Sequence, residues 1–172
     1  MSIQYENVIF LNSSGFQCRG CGVCCRDQPP DINSKEQQRI QKAGHRNFMQ
    51  GPSNPNNRNI RQQKDGSCIF ITKENTCKIN SIKPSICLLE PFIITDFDYN
   101  TNTIYLDLNP HATNNCKGIS TGENVAIVEI GKAAQTIIND YLEIVAEKTG
   151  LPVTDKKVAF LTKKLILDSK NI

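Results

Sequence analysis

The chain has 172 residues, a formal net charge of +3, no tryptophan and eight cysteines. That length suits one domain with an appended helical tail, and the modest apolar content leaves a core that metal cross-links would help to hold. Thiols ionised on metals would more than cancel the small positive charge, which argues against nucleic-acid binding through bulk charge, and no run approaches the ~18 apolar residues of a membrane span.

The first ten residues show no basic stretch, long apolar run or small-residue cleavage site of a secretory signal. A reduced, cytoplasmic compartment is therefore expected, where clustered cysteines bind metal more often than they pair as disulfides. Up to Phe16 the sequence alternates loosely through Ile3, Tyr5, Val8 and Phe10, as a short strand would. Cys18, Cys21, Cys24 and Cys25 follow within eight residues. Asp27, Pro29 and Pro30 then make a turn. Asn33 or Ser34 is placed to cap a helix over 35–43 that Gly44 ends. Residues 45–63, rich in Asn, Gly and Pro, read as a long exposed loop and a candidate partner-contact surface.

Asp65-Gly66 marks a turn before a strand over 68–72, and residues 77–79 form its partner, a hairpin with Cys68 on one arm and Cys77 on the other. Lys83-Pro84 starts a tight helical turn carrying Cys87. A second hairpin covers 92–108, with its turn at Asn100. Cys116 precedes the one strongly periodic helix, 123–148, which turns Ile127, Ile130, Ala134, Ile137, Ile138, Tyr141, Ile144 and Val145 to one side. After Gly150 and Pro152, Asp155 caps a last helix with Val158, Leu161, Leu165 and Ile166 as its apolar face. The fold class is α+β: a small cysteine-rich hairpin and loop domain over 1–122 that holds metal centres, backed by two helices in an extension over 123–172.

The cysteines decide the chemistry. Thiolate is a soft ligand that selects zinc, copper(I) or iron–sulfur clusters over magnesium and calcium. Two cysteines three apart reach one metal, and Gly20 and Gly22 free the turn between ligands. Adjacent side chains point apart, so Cys24 and Cys25 address different metal positions. Cys68, Cys77, Cys87 and Cys116 bring the total to enough for two four-thiolate sites. Structural zinc favours paired CxxC knuckles, whereas here eight and nine residues separate Cys68, Cys77 and Cys87. The compact CxxCxxC run is closer to a cubane-binding arrangement, although no proline follows its last cysteine.

The run Phe16-Gln17-Cys18-Arg19-Gly20-Cys21-Gly22-Val23-Cys24-Cys25, followed by Cys68, Cys77, Lys83-Pro84 with Cys87, Pro91-Phe92, and Cys116 with Gly118 and Gly122, resembles the CxxCxxCC, or YkgJ-type, cysteine-cluster family over about residues 16–123. The resemblance implies a zinc- or iron-chelating domain. It also relates the chain to the cysteine domain of flagellin lysine N-methylases, which look like iron–sulfur enzymes using S-adenosylmethionine. This chain is much shorter and has no glycine-rich strand–turn–helix for a methyl donor. Lys83 stands where the family usually has arginine, so a point charge replaces a planar bidentate cation.

Among the other polar residues, His45 reads as a solvated surface side chain and His111 as a supporting or substitute ligand. Asp96, Asp98 and Asp107 face water from a hairpin, Lys156, Lys157, Lys163 and Lys164 form the wet side of the last helix, and Tyr99 and Tyr105 pack in the sheet. No hydrolytic triad or carboxylate pair is visible. The expected protein binds iron–sulfur clusters, [4Fe–4S] in type, through all eight cysteines. It would act in electron transfer or cluster delivery to a redox or client protein rather than as a catalyst. The alternative is a zinc-stabilised interaction module, and a methylase-like or redox enzyme comes third.

Overall fold

The computed structural model describes residues 4, 7–12, 14–26, 29–51, 58–121 and 127–168. Its main sheet has three strands in the order β1 (Asn7–Phe10), β4 (Thr103–Leu108), β3 (Phe92–Asp98). The strands β3 and β4 form the expected antiparallel hairpin, and β1 lies parallel to β4 in the register Asn7↔Thr103. A register shift between Ile94 and Asp96 changes the phase of β3, so that Phe92, Ile94 and Phe97 are all buried. Ile3 and Tyr5 of the expected opening strand lie outside the described residues.

Helices α4 (Ile127–Thr149) and α5 (Lys156–Asp168) pack on each other, α4 against β4 and α5 against β3. On α4 the residues Ile130, Ala133, Ala134, Ile138, Leu142 and Val145 are buried, at the three- and four-residue spacing of one helix face. Asp155 Oδ1 accepts from Lys157 N, as the cap reading requires. The face of α5 is rotated from the expected one: Val158, Thr162 and Ile166 are buried, whereas Leu165 is 41% exposed. Lys163 pairs with Asp96 of β3, so both leave the purely solvated role expected of them. The expected boundary at 122/123 and the first turn of the long helix lie outside the described residues.

A second, smaller core gathers Ile32, Ile40, Phe48, Ile60, Phe70 and Ile79, with Cys68 buried among them and Cys25 and Cys77 packed at its edge. Helix α1 (Ser34–Lys42) frames it. Its cap is Asn33, whose side chain accepts from Glu36 N while Glu36 Oε2 accepts from Asn33 N, a reciprocal capping box. This core corrects the reading of 45–63 as an exposed loop at Phe48 and Ile60, while residues 52–57 lie outside the described residues. Phe48 and Ile60 are 2% and 0% exposed, and a bridge pairs Met49 with Ile60. Isolated apolar residues among polar ones carry no period, which is why pattern alone left them outside.

Residues 68–79 also differ from the expected hairpin. Single bridges, Gln62↔Cys68 and Ile71↔Cys77, replace regular strands. The Gln63 side-chain amide donates to the carbonyls of Cys68 and Ile71, occupying acceptors that a ladder would use. No helix among the described residues is long and apolar enough to cross a membrane.

Candidate metal centre

Two short pairings position the first ligands. Strand β2 (Ser14–Phe16) runs antiparallel to β5 (Ile119–Thr121), and Gln17 N donates to Gly118 O at 3.0 Å. This seam holds the backbone just before Cys18 against the backbone just after Cys116. Gly118 is buried there, and a Cβ on it would collide with the Gln17 carbonyl oxygen. The chain then passes Gly20 and Gly22, both left-handed with φ of 61° and 73°, and enters a 3₁₀ turn, Val23–Cys25, that carries the cysteine doublet. Helix α3 (Pro110–Asn115), begun by the Asn109 cap, packs on that turn.

A different set of contacts holds the other thiols. Cys68 N donates to Cys25 O at 2.7 Å, and Ile71 N to Cys68 O at 3.0 Å. The Ile71↔Cys77 bridge brings Cys77 alongside. Cys87 sits on α2 (Ser85–Leu89), which Pro84 begins and whose Ser85 N donates to Glu36 Oε1 at 2.7 Å. Buried Glu36 thus serves α1 with one carboxylate oxygen and α2 with the other.

All eight cysteines are free thiols. Cys116 donates an S–H hydrogen bond to Cys21; burial opposes ionisation of Cys21, but that bond and backbone bonds involving Val23 and Lys117 outweigh it and lower its pKa. Within the doublet Cys24 donates to Cys25, which lowers Cys25 and raises Cys24. Burial raises Cys68, Cys87 and Cys116. Ionisation of nearby Cys87 or Cys68 would oppose that of Cys25, and Lys83 partly offsets the rise at Cys87. Burial also pushes the Glu90 carboxyl up to about 7, and its charge opposes ionisation of Cys24.

Six of the eight thiols, Cys18, Cys21, Cys24, Cys25, Cys77 and Cys116, line one open cavity of about 510 Å³. Cys68 and Cys87 are not among its lining residues. His111 is on the wall, whereas His45 lies edge-on to the Phe70 ring at 5.2 Å and is not among the lining residues. Glu90 and Asn75 also line it and were not anticipated. Asn75 has the left-handed φ of 58°, accepts from Arg26 and abuts Gly22. Its place in a Glu-Asn-Thr turn two residues before Cys77 was the available signal. Among the described residues no three Cys, His, Asp or Glu side chains are gathered as tightly as a single bound ion requires. By donor chemistry the set fits a soft metal: eight reduced thiols, several held in apolar surroundings, around a loop whose glycines admit close approach.

Residues 17–111 match a family described as "Putative zinc- or iron-chelating domain", the CxxCxxCC domain. The match covers seven of the cysteines and stops five residues before Cys116. The "Uncharacterized protein MJ0661" of Methanocaldococcus jannaschii is 25% identical over 136 residues, covering 76% of this chain and 72% of that protein. No solved structure matches the chain. With more than half of its length matched, including the doublet on its 3₁₀ turn, the chain belongs to the CxxCxxCC family.

Proposed function

We propose that the chain is a cytoplasmic iron–sulfur protein, holding [4Fe–4S] clusters on Cys18, Cys21, Cys24, Cys25, Cys68, Cys77, Cys87 and Cys116 and passing electrons or a cluster to a redox or client protein. The observation that carries this reading is the cavity: six thiols surround about 510 Å³ that opens to solvent, room for a cluster and access for a partner. A bound cluster would supply one-electron chemistry or be itself the cargo. The protein's part is to present thiolates, to lend backbone N–H groups from the Gly20–Gly22 loop, and to shield part of the site with Phe16 and Pro91, which also line it.

A zinc-held interaction module is the second reading. It is favoured by Cys25, Cys68 and Cys77 packing with an apolar core, as structural ligands do. Anaerobic purification followed by iron, zinc and sulfide analysis separates the two. About eight iron and eight sulfide per chain with broad visible absorption, or about four of each, supports the first reading. Zinc without sulfide rejects it and leaves the interaction module.

A further inference from the structure

The Cys24–Cys25 doublet lies on a 3₁₀ turn, where successive side chains are rotated by roughly 120°. The surroundings on its two sides differ in origin. On one side the β2–β5 seam and the Gln17–Gly118 hydrogen bond join the segment leading to Cys18 with the one leaving Cys116, and Cys116 hydrogen-bonds Cys21. On the other side Cys25 O accepts a backbone hydrogen bond from Cys68 N, and Cys25, Cys68 and Cys77 share the second core. Cys87 is carried on α2, which Glu36 of α1 ties to the same core through Ser85 N. Cys24 lines the cavity with Cys18, Cys21 and Cys116, where Cys25 and Cys77 also reach the wall.

We infer that the thiols divide into two four-cysteine centres, an outer one of Cys18, Cys21, Cys24 and Cys116 and an inner one of Cys25, Cys68, Cys77 and Cys87, with the doublet as the seam between them. Three members of each set are tied by contacts that do not involve the other set. Cys24 goes outward because Cys25 already fills the fourth inner place. The two sets differ in setting as well as in membership. Cys18 and Cys24 are exposed, whereas Cys68 is 8% exposed and buried in the second core. The outer centre therefore faces whatever docks at the cavity mouth, and the inner centre holds loops that have almost no regular structure of their own.

The division rests on the proposed metal binding but not on which metal is bound. The test is stepwise metal removal from the intact loaded chain with a chelator, alkylating freed thiols and mapping them by mass spectrometry while counting metal. The expected intermediate has Cys18, Cys21, Cys24 and Cys116 alkylated together, the other four protected and half the metal retained. All eight appearing in one step, or a protected set that mixes the two groups, overturns the division. Cys24→Ser and Cys25→Ser give a second reading on loaded chains. The first should free the outer thiols and the second the inner ones, each with half the metal lost, and loss of the same thiols from both overturns it. A chain that carries no metal at all fails the proposed function instead, and zinc without sulfide fails only its iron–sulfur part.

Discussion

At the scale of single residues, Gly22 is constrained by backbone conformation and by space together. Its φ of 73° is strained for any residue with a Cβ, and a Cβ there would sit 2.9 Å from Ile71 Cδ1 and 3.0 Å from Asn75 Oδ1. Gly22→Ala should cost about 1–3 kcal/mol, read by urea denaturation, and should lower metal retained after gel filtration, because the displaced backbone is the one that feeds the doublet. Glu36 is constrained instead by the two backbone bonds its carboxylate accepts. Glu36→Gln keeps one oxygen and so only one of its two backbone bonds, to Asn33 N or Ser85 N; Glu36→Ala loses both. The alanine variant should cost about 1–3 kcal/mol more than the glutamine one, and it should leave both Asn33 N and Ser85 N exchanging rapidly with solvent.

Among the elements, α2 links the two cores by packing on α4, and a second link is electrostatic. Arg58, beside the second core, donates Nε to Ile32 O and pairs with Asp31 and with Asp140 of α4, while its guanidinium lies over the Tyr141 ring. Tyr141 in turn donates to Asp31. Burial pushes the Asp140 carboxyl up even beside this cation. Arg58→Ala should destabilise by about 1–3 kcal/mol at neutral pH, discounted for partial exposure. Without its cation Asp140 titrates higher still, so the deficit grows as pH rises through that carboxyl's range and shrinks in acid, where the protonated side chain no longer needs a partner and only the Ile32 and Tyr141 contacts are missed. Urea midpoints of both chains from ~pH 4 to ~pH 7 check the sign; curves that stay parallel would remove Asp140 from the account.

At the scale of the molecule, what could be read from sequence is what is encoded locally. Asn33 with Glu36 three residues on announces its capping box, the period of α4 survives any context, and 92–108 alternates as a hairpin must. The second core was hidden because Phe48 and Ile60 meet across a gap in sequence and neither belongs to a periodic run. Three-residue strands such as β2 and β5 offer too little pattern to pair over a hundred positions. Helix α3 was within reach, since Asn109-Pro110 is a cap followed by a favoured first residue. The cysteines were legible as ligands by chemistry, but their grouping depends on those same long-range pairings.

The parallel pairing of β1 with β4 has a consequence in time. Asn7 meets Thr103, so during synthesis β1 waits for a partner roughly a hundred residues away, on the order of 5–20 s at ribosomal rates. Cys25, Cys68, Cys77 and Cys87 have all been made by then, whereas Cys116 has not. A nascent chain can therefore complete its inner thiol set while its main sheet is still unclosed, and the outer set waits until translation has passed the strand that closes it.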